Sequence, residues 1–163
     1  MARWKQCIYK LKNPNKYIGG NKEYIRCMSS WEIEAHTFFD TNENILAWAS
    51  EPLPIPYVKP TDGQVHRYFP DYYIKYLDKY GNIIQEIVEI KPHAQTVLRE
   101  NASQIERVEY SINQAKWRYA KAWCDAHEIN FRVMTEINGN KTVFNQRKKI
   151  VPRRIKKRTI KAR

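Results

Sequence analysis

The chain has 163 residues, of which 42% are apolar and 13% aromatic, so it is long enough for one domain with a buried core. It contains no apolar run of about 18 residues, and its basic N-terminus lacks the apolar stretch of a signal peptide, so we expect neither a membrane span nor a secretory leader. Its three cysteines are too widely spaced for a disulfide framework or a cysteine-based zinc site, which favours reduced thiols in a cytosolic protein.

The net charge of +12 is concentrated at the two ends of the chain. Residues 1–28 carry seven Lys and Arg against one acid, residues 141–163 carry eleven against none, and residues 29–140 carry eleven against sixteen acids. Lys and Arg displace condensed counterions from a phosphate backbone, so basic ends of this kind favour a nucleic-acid partner. An acidic protein surface or an anionic membrane would also fit the C-terminal composition.

We therefore divide the chain into a basic arm at residues 1–28, a central domain at residues 29–145 and a basic tail at residues 146–163. The candidate phosphate contacts in the tail are Arg147, Lys148, Lys149, Arg153, Arg154, Lys156, Lys157 and Arg158.

In chain order, residues 1–28 mix lysine, asparagine and aromatic residues around two glycines, which predicts an arm of limited order. Residues 29–40 have helical spacing of apolar residues, with Ser29 as the N-cap and Glu32 three residues later. Residues 45–58 contain three prolines, which predicts a short extended segment at a sheet edge.

Residues 66–77 and 83–91 are rich in aromatic and β-branched residues and flank turn-forming residues, which predicts a β-hairpin. Residues 104–127 carry apolar residues at a three-four spacing and predict the longest helix. A strand at residues 131–136, a tight turn at residues 138–139 and a returning strand at residues 141–144 follow. Because strand–helix–strand connections usually make parallel neighbours, we predict an α/β domain with a central mixed sheet flanked by helices.

The second strand of this hairpin carries charges among apolar residues. Alternation places Glu89 and Lys91 on one face and Val88 and Ile90 on the other. Charges in dry surroundings are costly unless they are paired or bound to a metal. An ion pair at an exposed strand end would also account for Glu89 and Lys91.

Asp71 lies on the partner strand, directly after Pro70. Proline cannot donate to the ladder, so the backbone should bend there and can turn the Asp71 carboxylate toward Glu89. Alternatively, Asp71 merely accepts hydrogen bonds at a bulge. Two carboxylates, helped by the carbonyl of Ile90, suit Mg²⁺ or Mn²⁺, which would activate water beside a phosphate. Lys91 would then orient the attacking water or stabilise the transition state.

The pairing of Pro70-Asp71 with Glu89-Ile90-Lys91 matches the PD-(D/E)xK nuclease signature. Longer stretches make the match specific: the sequence resembles the head-completion nucleases of T-even-like tailed phages over about residues 26–137. It is similar, more distantly, to the nuclease subunit of Tn7-type transposition. The stretches concerned are residues 29–32, 55–57, 62–71, 88–92, 115–117 and 131–136.

The resemblance implies a restriction-endonuclease-like core and a magnesium-dependent DNA nuclease with endonuclease and exonuclease activity. It implies action on packaged double-stranded DNA before heads are joined to tails. The partners would be phage head or neck proteins, in the virion or the host cytoplasm, with no membrane and no small-molecule cofactor. By position, Asp71, Glu89 and Lys91 take the metal and water roles. Glu32 matches an acid that related nucleases place beside the metal, although it equally completes the helix cap.

Outside this cluster, Arg67 and Lys116 are candidate phosphate contacts, and a solvated helix face is the alternative for Lys116. His66 is expected to be structural. Two other functions stay open. One is a transposition or repair nuclease of the same fold, and the other is a non-catalytic basic protein that binds DNA in the virion.

Overall fold

The structure, a computed structural model, describes residues 7–135 and contains eight strands and two α-helices in that range. In chain order these are β1 (Cys7–Tyr9), β2 (Ile25–Cys27), α1 (Ser30–Thr41), β3 (Ile45–Ser50), β4 (Ile55–Val58), β5 (Val65–Tyr68), β6 (Tyr72–Leu77), β7 (Ile83–Ile90), α2 (Gln104–Ala126) and β8 (Asn130–Met134). A short 3-10 turn at His93–Gln95 follows β7. None of the described helices is long and apolar enough to cross a bilayer.

A four-stranded sheet in the order β3-β6-β7-β8 forms the centre of the fold. The β6–β7 pair is an antiparallel hairpin whose turn is held by Asp78, since its carboxylate accepts hydrogen bonds from the main-chain N–H groups of Tyr80 and Asn82. Gly81 in that turn has φ +86°, a conformation that favours glycine. β8 returns after α2 and pairs parallel with β7. The predicted mixed sheet, hairpin and α/β class are thus confirmed.

Helix α1 packs on one face of the sheet. It begins as predicted, because the Ser29 hydroxyl accepts the Glu32 main-chain N–H at 3.2 Å. Its buried residues join the main core, whose largest fully buried side chains include Phe39, Trp48 and Tyr72. A stripe of large apolar side chains therefore fixes the helix against the sheet.

Residues 7–28 correct the predicted arm of limited order. β1 and β2 pair antiparallel, with Cys7 opposite Cys27, and the three cysteines of the chain are free thiols. Tyr17 and Ile25 are only 4% and 3% exposed and belong to the main core. The buried Asp40 of α1 also accepts main-chain N–H groups of the segment between the strands. The sequence does not predict this structure, because the few buried residues of the segment are separated by loop residues and show no period.

Helix α2 and a second two-stranded sheet form the other packed layer. The helix begins with a complete capping box between Ser103 and Glu106, and its range agrees with the predicted longest helix. Its buried Ala115 and Ala120 pack against the β4–β5 pair through Ile55, Tyr57 and Tyr68. The described part of the fold therefore has two cores, and β8 contributes Met134 to the first and Phe131 to the second.

The predicted strand at residues 66–77 is in fact two strands in different sheets. β5 pairs with β4, and β6 begins afresh at Tyr72 in the main sheet. Pro70, which lacks an N–H group, lies in the break. The segment at residues 45–58 also divides: β3 is an edge strand of the main sheet, as predicted, whereas β4 belongs to the smaller one. The predicted turn at residues 138–139, the strand at residues 141–144 and the tail lie outside the described residues.

Candidate active site

Asp71 lies in the break between β5 and β6 and is held from both sides. Its main-chain carbonyl accepts the N–H of Glu51 at 2.9 Å, and its carboxylate accepts the N–H of Ile90 at 2.7 Å. Tyr72 and Val88 form the last residue pair of the β6–β7 ladder. Beyond it, the Asp71 carboxylate accepts the Ile90 N–H in place of a main-chain carbonyl. The bend at Pro70 thus presents the carboxylate to the end of β7, as the sequence predicts.

The carbonyl of Ile90 lies on the same side as this carboxylate. Main-chain groups alternate in direction along a strand, and the N–H of Lys91 donates to the Met134 carbonyl on β8 at 2.9 Å. The N–H of Ile90 points the opposite way, toward Asp71. The carbonyl and N–H of one strand residue share a direction, so the Ile90 carbonyl faces the Asp71 side as well.

Glu89 is almost fully buried, with 3% of its surface exposed, and both of its carboxylate oxygens are engaged. One oxygen accepts the hydroxyl of Tyr68 at 2.7 Å, and the other lies 3.0 Å from the ammonium of Lys91. Burial raises the pKa of Tyr68 far above its ordinary value, as does the charge of Glu89, so the hydroxyl remains a donor. Burial would lower the pKa of Lys91, but the attraction of Glu89 outweighs it, so Lys91 stays cationic.

Asp71 and Glu89 together bring more negative charge to this point than Lys91 neutralises. Burial, and next the charge of Glu89, raise the pKa of Asp71 despite the N–H of Ile90 and the charge of Lys91. Among residues 7–135, no three side chains of the His, Cys, Asp or Glu types converge as a metal site. Two carboxylates and a main-chain carbonyl are nevertheless a donor set that fits Mg²⁺, which retains waters in its shell.

Glu32 lies close to Asp71 and is engaged in the helix cap. Its carboxylate accepts the Met28 main-chain N–H at 2.8 Å and contacts the Ser29 hydroxyl at 3.2 Å. Its charge is also among the smaller influences that raise the pKa of Asp71. The structure thus contains both features that the sequence proposes for Glu32, the cap and the proximity to Asp71, and its catalytic role stays a prediction.

Two cavities meet at Asp71. The Lys91 cavity, of about 470 Å³, is bounded by Glu32, Asp71, Lys91 and the residues around them on α1 and after β7. The Tyr24 cavity, of about 540 Å³, is bounded by Glu32, Asp71, residues of β2 and Tyr24, which directly precedes that strand. Asp71 is therefore reached by solvent from two directions, although most of its side chain is buried.

Lys116 on α2 lies next to Tyr68, whose hydroxyl contacts Glu89. Its ammonium is 5.7 Å from the ring centroid of Tyr68 and 5.9 Å from that of Tyr57. Burial lowers the pKa of Lys116, as does the positive charge of Lys91. Lys116 is therefore placed one side chain away from Glu89, through Tyr68, rather than on a fully solvated helix face.

The other predicted contacts are more dispersed. Arg67 is exposed on β5, with its guanidinium 5.8 Å from the ring centroid of Phe69. His66 is paired with Asp62 at 2.9 Å, in keeping with a structural role. The eight tail residues predicted to contact phosphate, Arg147, Lys148, Lys149, Arg153, Arg154, Lys156, Lys157 and Arg158, lie outside the described residues.

Tyr68 is the site residue that sequence reasoning missed. Its hydroxyl holds Glu89, and its ring contacts Lys116. In the sequence it is one of many aromatic residues in an apolar segment, and only its distance of three residues from Asp71 marks it out. The break at Pro70 is what brings both residues to the end of β7.

Known proteins are similar to this chain in sequence. A sequence profile described as the TnsA-like endonuclease N-terminal domain matches residues 42–136. The chain is 33% identical over 135 residues to the head completion nuclease of Enterobacteria phage T4, and the alignment covers 77% of this chain and 87% of that protein. These matches confirm the family resemblance and support the nuclease interpretation. The mixed sheet, with Asp71 and the Glu89–Lys91 pair at adjacent strand ends, is of the PD-(D/E)xK type. The chain is therefore a nuclease that belongs to the TnsA-like endonuclease family.

Proposed function

We propose that this nuclease is a metal-dependent DNA phosphodiesterase with its active site at Asp71, Glu89 and Lys91. The observation that carries the proposal is the meeting of two carboxylates and an ammonium at one end of β7, where Asp71 contacts the Ile90 N–H and Glu89 contacts Lys91. Two largely buried carboxylates balanced in charge by a single cation are costly to maintain, which favours a functional over a purely structural origin.

Asp71, Glu89 and the Ile90 carbonyl would hold Mg²⁺ or Mn²⁺. When bound, the cation would supply Lewis-acid stabilisation of the charge that develops on the scissile phosphate. Tyr68 fixes the plane of the Glu89 carboxylate through its hydroxyl, so the carboxylate is oriented in advance. Lys91 remains cationic and can hydrogen-bond the attacking water or a phosphate oxygen.

The charge distribution along the chain supports double-stranded DNA as the substrate. The acidic centre repels a phosphate backbone until a cation binds, whereas the basic ends attract it. Lys116 and Arg67 would add phosphate contacts on the described part of the chain. We expect endonuclease activity, and exonuclease activity at DNA ends.

We further propose that the nuclease acts in completing phage heads, after DNA packaging and before heads join tails. Similarity to a head completion nuclease over 87% of that protein supports this role. The partners would then be phage head or neck proteins, and the enzyme would work in the virion or in the host cytoplasm. A transposition or repair nuclease of the same fold would use the same chemistry, and the family profile matched by residues 42–136 is the observation that favours it.

The chemical proposal is tested by incubating supercoiled plasmid with the protein and Mg²⁺ or Mn²⁺. We expect wild-type protein to nick and then degrade the plasmid, and Asp71→Ala and Glu89→Ala to be inactive while still binding DNA. Asp125→Ala is the matched control, because Asp125 is an exposed carboxylate of α2 that pairs with Lys121 on the same helix. Nicking that survives both active-site substitutions would place the site elsewhere.

The biological proposal needs a separate test in the phage that carries this sequence. Replacement of Asp71 by Ala should leave DNA-filled heads that do not join tails, which electron microscopy would show directly. Normal virions made with the inactive enzyme would refute the role in head completion and favour the transposition or repair alternative.

A further inference from the structure

The Tyr24 cavity opens beside Asp71 on the side away from Lys91. It shares Glu32, Asp71 and Tyr72 with the Lys91 cavity, so the two cavities adjoin at these residues. A nucleic-acid strand whose phosphate lies at Asp71 would therefore have the Tyr24 cavity as a neighbouring site. The proposed nuclease chemistry uses only the Lys91 cavity.

One wall of the Tyr24 cavity is formed by β2 and the residues on either side of it. Ile25 lines the cavity although it is buried, whereas Arg26 and the flanking Tyr24 and Met28 border it with exposed side chains. Tyr24 and Met28 are 56% and 54% exposed, although both are largely apolar. An aromatic ring, a guanidinium and a thioether side by side are suited to stacking on a flat, polar-edged ring system beside a phosphate.

The size of the cavity limits what can enter it. Its volume of about 540 Å³ lies in the range of roughly 300–1,000 Å³ that holds a small organic ligand. One or two unpaired nucleotides have that size, whereas a base-paired duplex is far wider. The cavity is thus matched to a single strand and not to a double helix.

The charges in the cavity favour a base over a phosphate in its interior. The carboxylates of Asp71 and Glu32 already accept main-chain N–H groups, and Glu51 and Ser50 border the cavity beside them. The three carboxylates repel a phosphate, but they can accept hydrogen bonds from the ring N–H and amino groups of a base. Arg26, on the exposed face of β2, supplies the positive charge for the phosphate of the same nucleotide.

We propose that the Tyr24 cavity binds an unpaired nucleotide next to the scissile phosphate, with its base stacked on Tyr24 and its phosphate paired with Arg26. This inference rests on the proposed active site at Asp71 and narrows its substrate class. The preferred substrate is DNA with a frayed end, flap or gap, because a fully paired strand must first release a base to occupy the cavity.

The binding test uses a DNA duplex with a short single-stranded flap in which 2-aminopurine replaces the base next to the junction. Ca²⁺ replaces Mg²⁺ so that binding is measured without turnover. Stacking on Tyr24 should quench the fluorescence of the probe when wild-type protein binds. Tyr24→Ala should abolish the quenching, and Tyr24→Phe should restore it. Tyr80→Ala is the matched control, because Tyr80 is 74% exposed in the β6–β7 turn and does not border the cavity.

The cleavage test compares the flap substrate with a fully paired duplex of the same sequence, in Mg²⁺. Wild-type protein should cleave the flap substrate on the order of tenfold faster at limiting enzyme, since stacking of one base on an aromatic ring contributes about that factor. Tyr24→Ala should remove the preference without abolishing cleavage of the duplex. Arg26→Ala should weaken flap binding and flatten its dependence on salt.

The outcomes separate this inference from the proposed function. Equal cleavage of both substrates with unquenched probe would overturn the nucleotide site and leave the nuclease in place. Quenching that persists in Tyr24→Ala would also overturn it. Tyr24-dependent quenching without cleavage of any DNA in Mg²⁺ or Mn²⁺ would support the nucleotide site and refute the metal-dependent active site.

Discussion

Replacement of Asp71 by Asn should make the metal-free protein more stable and the enzyme inactive. Burial and the charge of Glu89 raise the pKa of Asp71 to about 7 from its ordinary value of 3.8. The folded protein therefore holds the Asp71 proton more tightly than the unfolded chain, and its free energy of unfolding falls as the pH rises from about 4 through neutrality. The amide introduced by Asp71→Asn cannot ionise, and its oxygen can still accept the N–H of Ile90.

The size of the effect follows from the same shift. Each pKa unit corresponds to about 1.4 kcal/mol, which sets an upper limit of roughly 4 kcal/mol above neutral pH. Because part of the Asp71 side chain is solvated, we expect a gain on the order of 1 to 3 kcal/mol at pH 8 and none at pH 4. A cation that binds Asp71 and Glu89 would make the wild-type protein the more stable of the two. Mg²⁺ at about 100 times its dissociation constant would stabilise wild-type protein by about 2.7 kcal/mol, and Asp71→Asn by much less.

Urea unfolding at pH 4 and pH 8, with EDTA or with Mg²⁺, measures how the free energy of unfolding of each protein depends on pH and on the cation. The difference between wild type and variant cancels the contribution of other groups, such as His36, whose pKa burial lowers to about 4. Asp125→Asn is the control and should show little change in any condition, as an exposed ion pair contributes little. The reasoning would be refuted if Asp71→Asn were less stable than wild type at pH 8 in EDTA and Mg²⁺ stabilised neither protein. Asp71 would then be a structural hydrogen-bond acceptor.

Three further predictions concern the neighbours of Asp71 and the ends of the chain. Tyr68→Phe removes a hydrogen bond to a buried carboxylate, so urea unfolding should show that the free energy of unfolding falls by about 2 kcal/mol. More Mg²⁺ should then be needed for half-maximal cleavage. An unchanged free energy of unfolding would contradict the role of the hydroxyl. Lys91→Gln should lower the cleavage rate by a factor on the order of 10² to 10³ and leave the affinity for DNA in Ca²⁺ nearly unchanged. If only the affinity fell, Lys91 would be a phosphate contact and not part of the chemistry. Deletion of residues 147–163 should weaken DNA binding and flatten its dependence on salt, whereas an unchanged slope would indicate that the tail binds a protein.

The elements that could be predicted from the sequence are those with a strong local signal. The long helix α2 has both a three-four period and the Ser103–Glu106 capping box. The β6–β7 hairpin has two β-rich segments around an Asp-containing turn. Once the hairpin is known, its register and the bend at Pro70 bring Asp71 to the strand end that carries Glu89 and Lys91. The candidate site is therefore largely a consequence of local pattern.

The elements that escaped prediction depend on contacts between distant parts of the chain. Tyr17 is buried against the ring of Trp48, and Ile25 of β2 joins the same core. No local period in the sequence predicts either burial. The division of β5 from β6 depends on which partner each strand finds, and the aromatic pattern is continuous across the break. The role of Tyr68 depends on that division and could not be anticipated without it.

The break at Pro70 has a consequence for how such a nuclease can change its substrate. Asp71 belongs with the four-stranded sheet, whereas the β4–β5 pair is a separate sheet joined to it by only two further residues, Phe69 and Pro70. The loop of that hairpin, at residues 59–64, can therefore lengthen, shorten or change its charge without altering the register that places the carboxylate. Substrate contacts made through this loop and the position of Asp71 are thus encoded in separable stretches of chain, whereas Tyr68 on β5 ties the base of the hairpin to Glu89. The loop can diverge among relatives while Tyr68 and the register are retained.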